Sequence, residues 1–72
     1  MKLTPARKRG LEVLARHHPK PVRRSNSTDS EAGYIYWQTV NWLVAGGFAY
    51  LDERSQAVKL SGRGLALAEE QL

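Results

Sequence analysis

The stretch GYIYWQTVNWLVAGGF, residues 33–48, holds both tryptophans and the only phenylalanine of this 72-residue chain. Four of its apolar residues recur at the spacing of one helix face: Tyr36, Val40, Leu43 and Val44. This periodicity predicts a helix over residues 34–46 with that face against a core. The opposite face carries uncharged polar and aromatic residues: Trp37, Gln38, Asn41 and Trp42. Gly46 and Gly47 follow, and glycine accepts the left-handed conformation that ends many helices.

Length and composition restrict the class of protein. We expect residues 1–72 to form one small domain, which at this size buries only about 60% of its unfolded surface. The chain has no cysteine, which excludes disulfides, a thiol nucleophile and a thiolate zinc site. Its start, MKLTPARKRG, lacks the apolar run of a signal peptide, and no segment is long enough to span a membrane. A cytoplasmic protein without membrane contact is therefore expected.

The positive charge of the chain is concentrated in its first third. The formal net charge is +4 and the pI is about 9.9. Residues 1–24 alone hold eight Lys or Arg against one acidic residue, a net charge of +7, whereas residues 25–72 have a net charge of −3. Such asymmetry favours a basic face with a polyanion as its partner. The alternative is a solvated surface whose charge only keeps the protein soluble.

Two further helices are predicted, one on either side of the central stretch. Thr4 is a suitable N-cap and Pro5 a suitable first residue. This helix is expected to end at about His17, because the next residue precedes a proline and is disfavoured in a helix. Its buried face comprises Leu11, Leu14 and Ala15. Ser61 is the expected N-cap of the last helix. The apolar stripe of that helix comprises Leu65, Ala68 and Leu72.

The segment between the first helix and the central stretch is the least regular part of the sequence. Residues 20–24 are expected to be extended, since proline belongs at strand ends or edges. The polar stretch SNSTDSEAG, residues 25–33, is expected to form a loop. Within it, Thr28 and Glu31 have the spacing of a capping box.

A two-stranded hairpin is predicted after the central helix. Residues 48–51 and 57–60 are expected to form two short strands whose side chains alternate between two faces, and residues 52–56 connect them. This alternation places Phe48 and Tyr50 together on one face.

The order of these elements and two stretches of sequence resemble bacterial winged-helix domains. LTPARKRGLEVLAR, residues 3–16, is similar to their first helix, and TVNWLVAGGFAYLDERSQAVKLSGRGLALAEE, residues 39–70, is similar to their second half. In that family the helix before the hairpin ends in a leucine, then a glycine and an apolar residue, here Leu43, Gly47 and Phe48. After the hairpin, a leucine–Ser/Thr–x–x–Gly pattern begins the final helix, here Leu60, Ser61 and Gly64.

The resemblance implies an α+β fold made of a helix, a short strand and loop, a recognition helix, a two-stranded wing and a C-terminal helix. It also implies double-stranded DNA as the partner, as in small bacterial or phage transcription regulators and recombination directionality factors, with no cofactor. The helix before the wing would enter the major groove. The implied base contacts are Gln38, Thr39, Asn41 and Trp42. The implied wing contacts are Arg54, Gln56 and Lys59.

This chain departs from the family pattern at three places. The helix that normally precedes the recognition helix is short or missing, with residues 25–33 in its position. No Lys or Arg occurs from Asn26 through Glu53, and the wing tip carries Asp52 beside Glu53. Because phosphate contacts supply much of the affinity for DNA, they are expected from the basic N-terminal third. The expected phosphate contacts are Arg7, Lys8, Arg9, Lys20, Arg23, Arg24, Ser25 and Asn26.

The two tryptophans support an alternative function. Trp37 and Trp42 are five residues apart, about 140° around a helix, so both cannot be central to one buried face. One is expected to pack against the core and the other to lie at its edge. A partly exposed tryptophan suits a protein interface. The alternative is therefore a winged-helix protein-interaction module, with a protein partner or a homodimer formed through this region. Equally, both tryptophans fit edge-of-core positions covered by the loop of residues 19–33.

Catalysis and metal binding are not expected. The sequence indicates no Ser, His and acid arrangement, no phosphate-binding glycine loop after a strand and no carboxylate pair placed for a pocket. His17 and His18 are adjacent, and neighbouring helix residues do not face the same way. A capping or surface role is expected for this pair rather than a metal site.

Overall fold

The chain forms three helices and a four-stranded mixed sheet within residues 2–26 and 33–72, the residues that the computed structural model describes. This arrangement confirms the predicted α+β class. In chain order the elements are α1 (Pro5–His17), β1 (Val22–Ser25), β2 (Tyr34–Tyr36), α2 (Trp37–Ala45), β3 (Ala49–Asp52), β4 (Ala57–Leu60) and α3 (Gly62–Gln71). The predicted capping box from Thr28 to Glu31 lies outside the described residues.

Helix α1 begins and ends where the sequence predicts. The Thr4 hydroxyl oxygen accepts a hydrogen bond from the Arg7 amide at 3.2 Å. Pro5 occupies the first turn, where its missing amide hydrogen is not needed. In the last turn, His17 Nδ1 donates to the Val13 carbonyl at 3.0 Å, so this histidine has a structural partner. The core-facing side of α1 carries Gly10, Leu11, Val13 and Leu14.

Helix α2 begins at Trp37, later than the sequence predicts. Tyr34–Tyr36 forms β2 instead, which pairs in parallel with β1. The Tyr-Ile-Tyr alternation buries Ile35 completely and leaves Tyr34 49% exposed. A period of two residues with β-branched and aromatic side chains suits a half-buried strand. The helical prediction included Tyr36 because an aromatic residue fits both periodicities.

The buried side of α2 is rotated from the predicted stripe. Val40 and Leu43 are fully buried, as predicted. Val44, however, is 40% exposed, whereas Thr39 is only 4% exposed. Gly10 of α1 makes this rotation possible, because a Cβ atom there would lie 2.5 Å from the Thr39 methyl group. The two helices therefore approach closely, and Thr39 belongs to their interface.

A Schellman motif ends α2 and leads directly into the hairpin. The Gly47 amide donates to the Val44 carbonyl at 3.0 Å. The Phe48 amide donates to the Leu43 carbonyl at 2.8 Å, which completes the motif. Gly47 has a φ of 77°, a conformation in which a side chain would be strained. The predicted helix end at Gly46 and Gly47 is confirmed.

Strands β3 and β4 form the predicted hairpin, but Phe48 and Tyr50 do not share a face as predicted. Ala49 is buried opposite Leu60. Tyr50 is 66% exposed opposite Lys59. Phe48 is buried as well, but it precedes β3 and packs on α2. The prediction that Phe48 and Tyr50 share a face is wrong, because Phe48 is not part of the pleat that alternation describes.

The helices pack on one face of the sheet, whose strand order is β2-β1-β4-β3. Strand β1 is parallel to β2 and antiparallel to β4. The buried sheet residues share the helix-facing side: Val22, Ile35, Ala49, Val58 and Leu60. Alternate residues point the other way. That second side, named the open face here, has no helix packed on it among the described elements.

Helix α3 is held against the start of the hairpin by Ser61 and Gly64. The Ser61 hydroxyl oxygen accepts a hydrogen bond from the Gly64 amide at 3.1 Å, which confirms the predicted N-cap. The same hydroxyl donates to the Gly47 carbonyl at 2.6 Å. A Cβ atom at Gly64 would overlap the Phe48 carbonyl oxygen. Leu72, predicted to face the core, is 54% exposed because α3 ends before it.

Replacing Gly64 by alanine is expected to destabilise the fold by about 2 kcal/mol or more, because the added methyl group meets backbone that has no room to shift. Gly62→Ala is the matched control in the same helical turn, since a Cβ atom there meets nothing within 4 Å. It should leave stability unchanged or raise it slightly. Urea denaturation followed by circular dichroism measures both. Equal stability of the two variants would contradict the close approach of α3 to Phe48.

Candidate nucleic-acid interface

The outer face of α2 combines two exposed amide side chains with an exposed tryptophan. Gln38 and Asn41 are exposed, and Trp37 is 38% exposed. These residues project from the side of α2 opposite Val40 and Leu43, which anchor the helix in the core. Each amide side chain offers both donors and an acceptor, the combination that pairs with the edge of adenine. Two of the four predicted base contacts therefore lie on the accessible surface of α2.

The other two predicted base contacts occupy structural positions. Thr39 is buried against Gly10, so its predicted place on the groove-facing side is corrected. Trp42 is half-buried and stacks on Phe48, with ring centroids 5.6 Å apart and an interplanar angle of 22°. Trp42 is therefore the tryptophan that packs against the core, as predicted for one of the two. Trp37 is among the exposed large hydrophobic residues.

Arg7 brings a positive charge from α1 to the border of α2. Its guanidinium lies 4.6 Å from the Trp42 ring centroid, a cation–π contact that contributes about 0.5–1 kcal/mol at an exposed site. A shallow pocket of about 210 Å³ lies between the first turns of the two helices, lined by Thr4, Ala6, Arg7, Tyr36, Gln38 and Thr39. It is smaller than the roughly 300–1,000 Å³ of ordinary ligand pockets. Its importance is that Arg7 and Gln38 line the same depression.

The first half of α1 carries most of the positive charge of this helix. Lys8 and Arg9 are exposed next to Arg7. Further along, the Arg16 guanidinium pairs with the Glu12 carboxylate at 2.7 Å, so the second half of α1 is nearly neutral. The excess charge is therefore nearest to the end of α1 that adjoins α2.

The predicted phosphate contacts of β1 do not form one strip. Adjacent strand residues point to opposite faces. Arg23 is exposed on the open face, whereas Arg24 is half-buried on the helix-facing side, where Ile35 lies beside it on β2. Ser25 is half-buried and Asn26 is exposed at the end of β1. Lys20, also exposed, precedes the strand.

Two polar side chains in the turn of the hairpin form hydrogen bonds within the turn itself. Asp52 Oδ1 accepts a hydrogen bond from the Arg54 amide at 3.0 Å. The Gln56 side-chain amide donates to the Glu53 carbonyl at 2.6 Å. The Arg54 side chain is exposed at this turn. Lys59, the third implied wing contact, lies further along β4 on the open face.

Sequence reasoning missed the open face of the sheet as a surface. It carries two exposed tyrosines, Tyr34 and Tyr50, and each has a cation directly opposite on the neighbouring strand. Correct alternation in the hairpin would have found Tyr50. Tyr34 depends on β2, which the helical periodicity of the central stretch concealed.

No protein-family model, curated protein or solved structure matches the chain. Among the described residues, no three His, Cys, Asp or Glu side chains are grouped to hold a metal ion. None of the described helices is long and apolar enough to cross a membrane. The charge and geometry of α1, α2 and the sheet therefore carry the functional assignment.

Acrylamide quenching of fluorescence should distinguish the two tryptophans. In Trp42→Phe only Trp37 remains, and strong quenching is expected because its ring is exposed. In Trp37→Phe the remaining Trp42 should be quenched less and emit at a shorter wavelength, because Phe48 and Arg7 cover it. Equal quenching constants in the two folded variants would contradict the packing of Trp42.

Proposed function

We propose that this chain is a winged-helix domain that binds double-stranded DNA, with α2 as its recognition helix and α1 as its main source of phosphate contacts. Such a protein acts as a small transcriptional regulator or as an accessory factor in recombination. The observation that carries the proposal is the outer face of α2, where Gln38 and Asn41 are exposed together and the Arg7 guanidinium lies at the border.

The order and pairing of the elements support this assignment. Helix α2 leads into a two-stranded hairpin and α3 follows, as in the winged-helix domains that the sequence resembles. Strand β1 pairs antiparallel with β4 and extends the hairpin to three strands. Strand β2 directly precedes α2, where that family has a helix. The pairing of β2 and the burial of Ile35 therefore orient α2 in place of a preceding helix.

Base recognition and phosphate contact are assigned to different elements. Helix α2 contains no Lys or Arg, so its amides can distinguish base edges but cannot neutralise phosphates. Arg7 and Lys8 supply that charge from the first half of α1, and Arg54 adds a cation at the turn of the hairpin. Arg16 contributes less because its charge is compensated by Glu12.

Arg7→Gln is expected to weaken binding to every duplex several-fold and to lower the slope of log affinity against log salt by about one. Glutamine keeps part of the side chain that covers Trp42, so the fold should be retained. Arg16→Gln is the matched control, since it removes the same charge from the same helix but from an existing ion pair. Fluorescence anisotropy with a labelled random-sequence duplex at several salt concentrations measures both effects.

Two results would count against duplex binding through α1 and α2. One is an affinity of the unmodified protein for duplex DNA that does not fall with added salt, since phosphate neutralisation releases counterions. The other is an equal loss of affinity in Arg7→Gln and Arg16→Gln, which would mean that only total charge matters.

Gln38→Ala and Asn41→Ala are expected to relax sequence preference while leaving the affinity for random DNA nearly unchanged. On a duplex selected from a random pool, each should lose about 1–3 kcal/mol of discrimination against a changed base pair. Val44→Ala is the control on the same outer face, because Val44 is 40% exposed and has no hydrogen-bonding group in its side chain. If both amide variants discriminate between base pairs as well as the unmodified protein does, α2 is not the element that recognises the sequence.

One observation favours the alternative function, a protein-interaction module. Trp37 and Val44 are seven residues apart on the same side of α2 and are 38% and 40% exposed. Tryptophan is enriched in the centre of protein interfaces. A homodimer detected by sedimentation that dissociates in Trp37→Ala, together with salt-independent DNA affinity, would establish this alternative.

A further inference from the structure

The open face of the sheet carries two aromatic–cation pairs that the proposed duplex-binding surface does not use. Tyr34 of β2 lies directly opposite Arg23 of β1. Tyr50 of β3 lies directly opposite Lys59 of β4. The tyrosines are 49% and 66% exposed, and both cations are exposed as well. We propose that this face binds single-stranded nucleic acid, with bases stacked on the two tyrosines and phosphates bound by the two cations.

The positions of the tyrosines fit a strand that crosses the sheet. In the order β2-β1-β4-β3 the tyrosines lie on the two edge strands, which are about 14 Å apart at the usual strand spacing. The tyrosines are also offset along the strands, because Tyr34 is in the row of Ala57 and Tyr50 is in the row of Lys59. The cations lie on the two inner strands between them. A single strand stacked at both edges therefore passes its backbone over Arg23 and Lys59. Stacking of a base on an aromatic ring tolerates any sequence, because every base has a π-face.

The charge of the open face favours a polyanion over a protein partner. Among the described strand residues, Asp52 is the only acid on this face, at the corner beside the turn. Its Oδ1 accepts a hydrogen bond from the Arg54 amide, which directs the carboxylate into the turn. Arg23 and Lys59 thus dominate the central part of the face. A groove or platform with exposed rings and cations is the arrangement that single-strand binding requires.

The open face and the outer face of α2 are carried by different elements, strands in one case and a helix in the other, and they adjoin at Tyr36, which lines the depression shared with Arg7 and Gln38. The inference therefore does not depend on the winged-helix assignment. Loss of one activity leaves the other in place, and Arg7 variants and Tyr50 variants report on different surfaces.

Fluorescence anisotropy of the full chain with labelled oligothymidine, labelled oligouridine and a duplex of equal length tests the proposal. Tyr50→Thr removes the ring but keeps a residue suited to a strand, and roughly tenfold weaker binding of the single strands is expected. Tyr50→Phe keeps the ring and should stay within about twofold of the unmodified protein. Lys59→Gln should lower the salt slope for single strands by about 0.7. Thermal unfolding of each variant verifies that it is folded.

Ala66→Ser is the control for location, because Ala66 is exposed on α3 and belongs to neither proposed binding surface, so this variant should leave single-strand binding unchanged. Tighter binding of a single strand than of the duplex, lost in Tyr50→Thr and kept in Tyr50→Phe, supports the proposal; the tighter of the two oligonucleotides identifies DNA or RNA. Equal single-strand affinity in folded Tyr50→Thr and the unmodified protein would overturn it. A dimer that dissociates in Tyr50→Thr would also overturn it, since the face would then be a self-association surface.

Discussion

The packing of Phe48 is the constraint on which the rest of this small domain depends. Its amide donates a hydrogen bond to the Leu43 carbonyl at 2.8 Å, which completes the end of α2. Its carbonyl accepts a hydrogen bond from the Ser61 amide at 3.0 Å. Its ring stacks on Trp42, and the Arg63 guanidinium lies 5.0 Å from its centroid. One residue therefore joins α2, β3 and the start of α3 through its backbone and its side chain. In a domain of this size, where little surface can be buried, such a junction determines how the layers meet.

This junction also determines where the two candidate surfaces lie. Because Trp42 is engaged by Phe48, the outer face of α2 is left with the amides of Gln38 and Asn41. Because Phe48 lies outside the pleat of β3, the next residue is buried and Tyr50 points away from the helices. The position of Phe48 therefore influences both the outer face of α2 and the open face of the sheet.

Local signals predicted much of the architecture. The caps of α1 and α3, the glycine end of α2 and the hairpin all depend on hydrogen bonds and backbone preferences within a few residues. Strand β2 could not be predicted in this way, because it forms only by pairing with β1, eleven residues earlier, and its residues also fit a helical stripe. The burial of Thr39 was equally hidden, since it depends on the close approach that Gly10 of α1 permits.

The candidate site shows the same division between local and long-range causes. Residue types alone specify how much positive charge the first third carries and which residues have hydrogen-bonding or stacking groups, because these are properties of single side chains. Packing decides which of these groups meet solvent together: Arg23 and Arg24 face opposite ways, and Tyr50 joins Tyr34 on one surface. The physical reason is that a strand or helix buries the side on which other elements pack and leaves its other side exposed to solvent. Those packing elements come from parts of the chain that sequence patterns of a few residues do not relate.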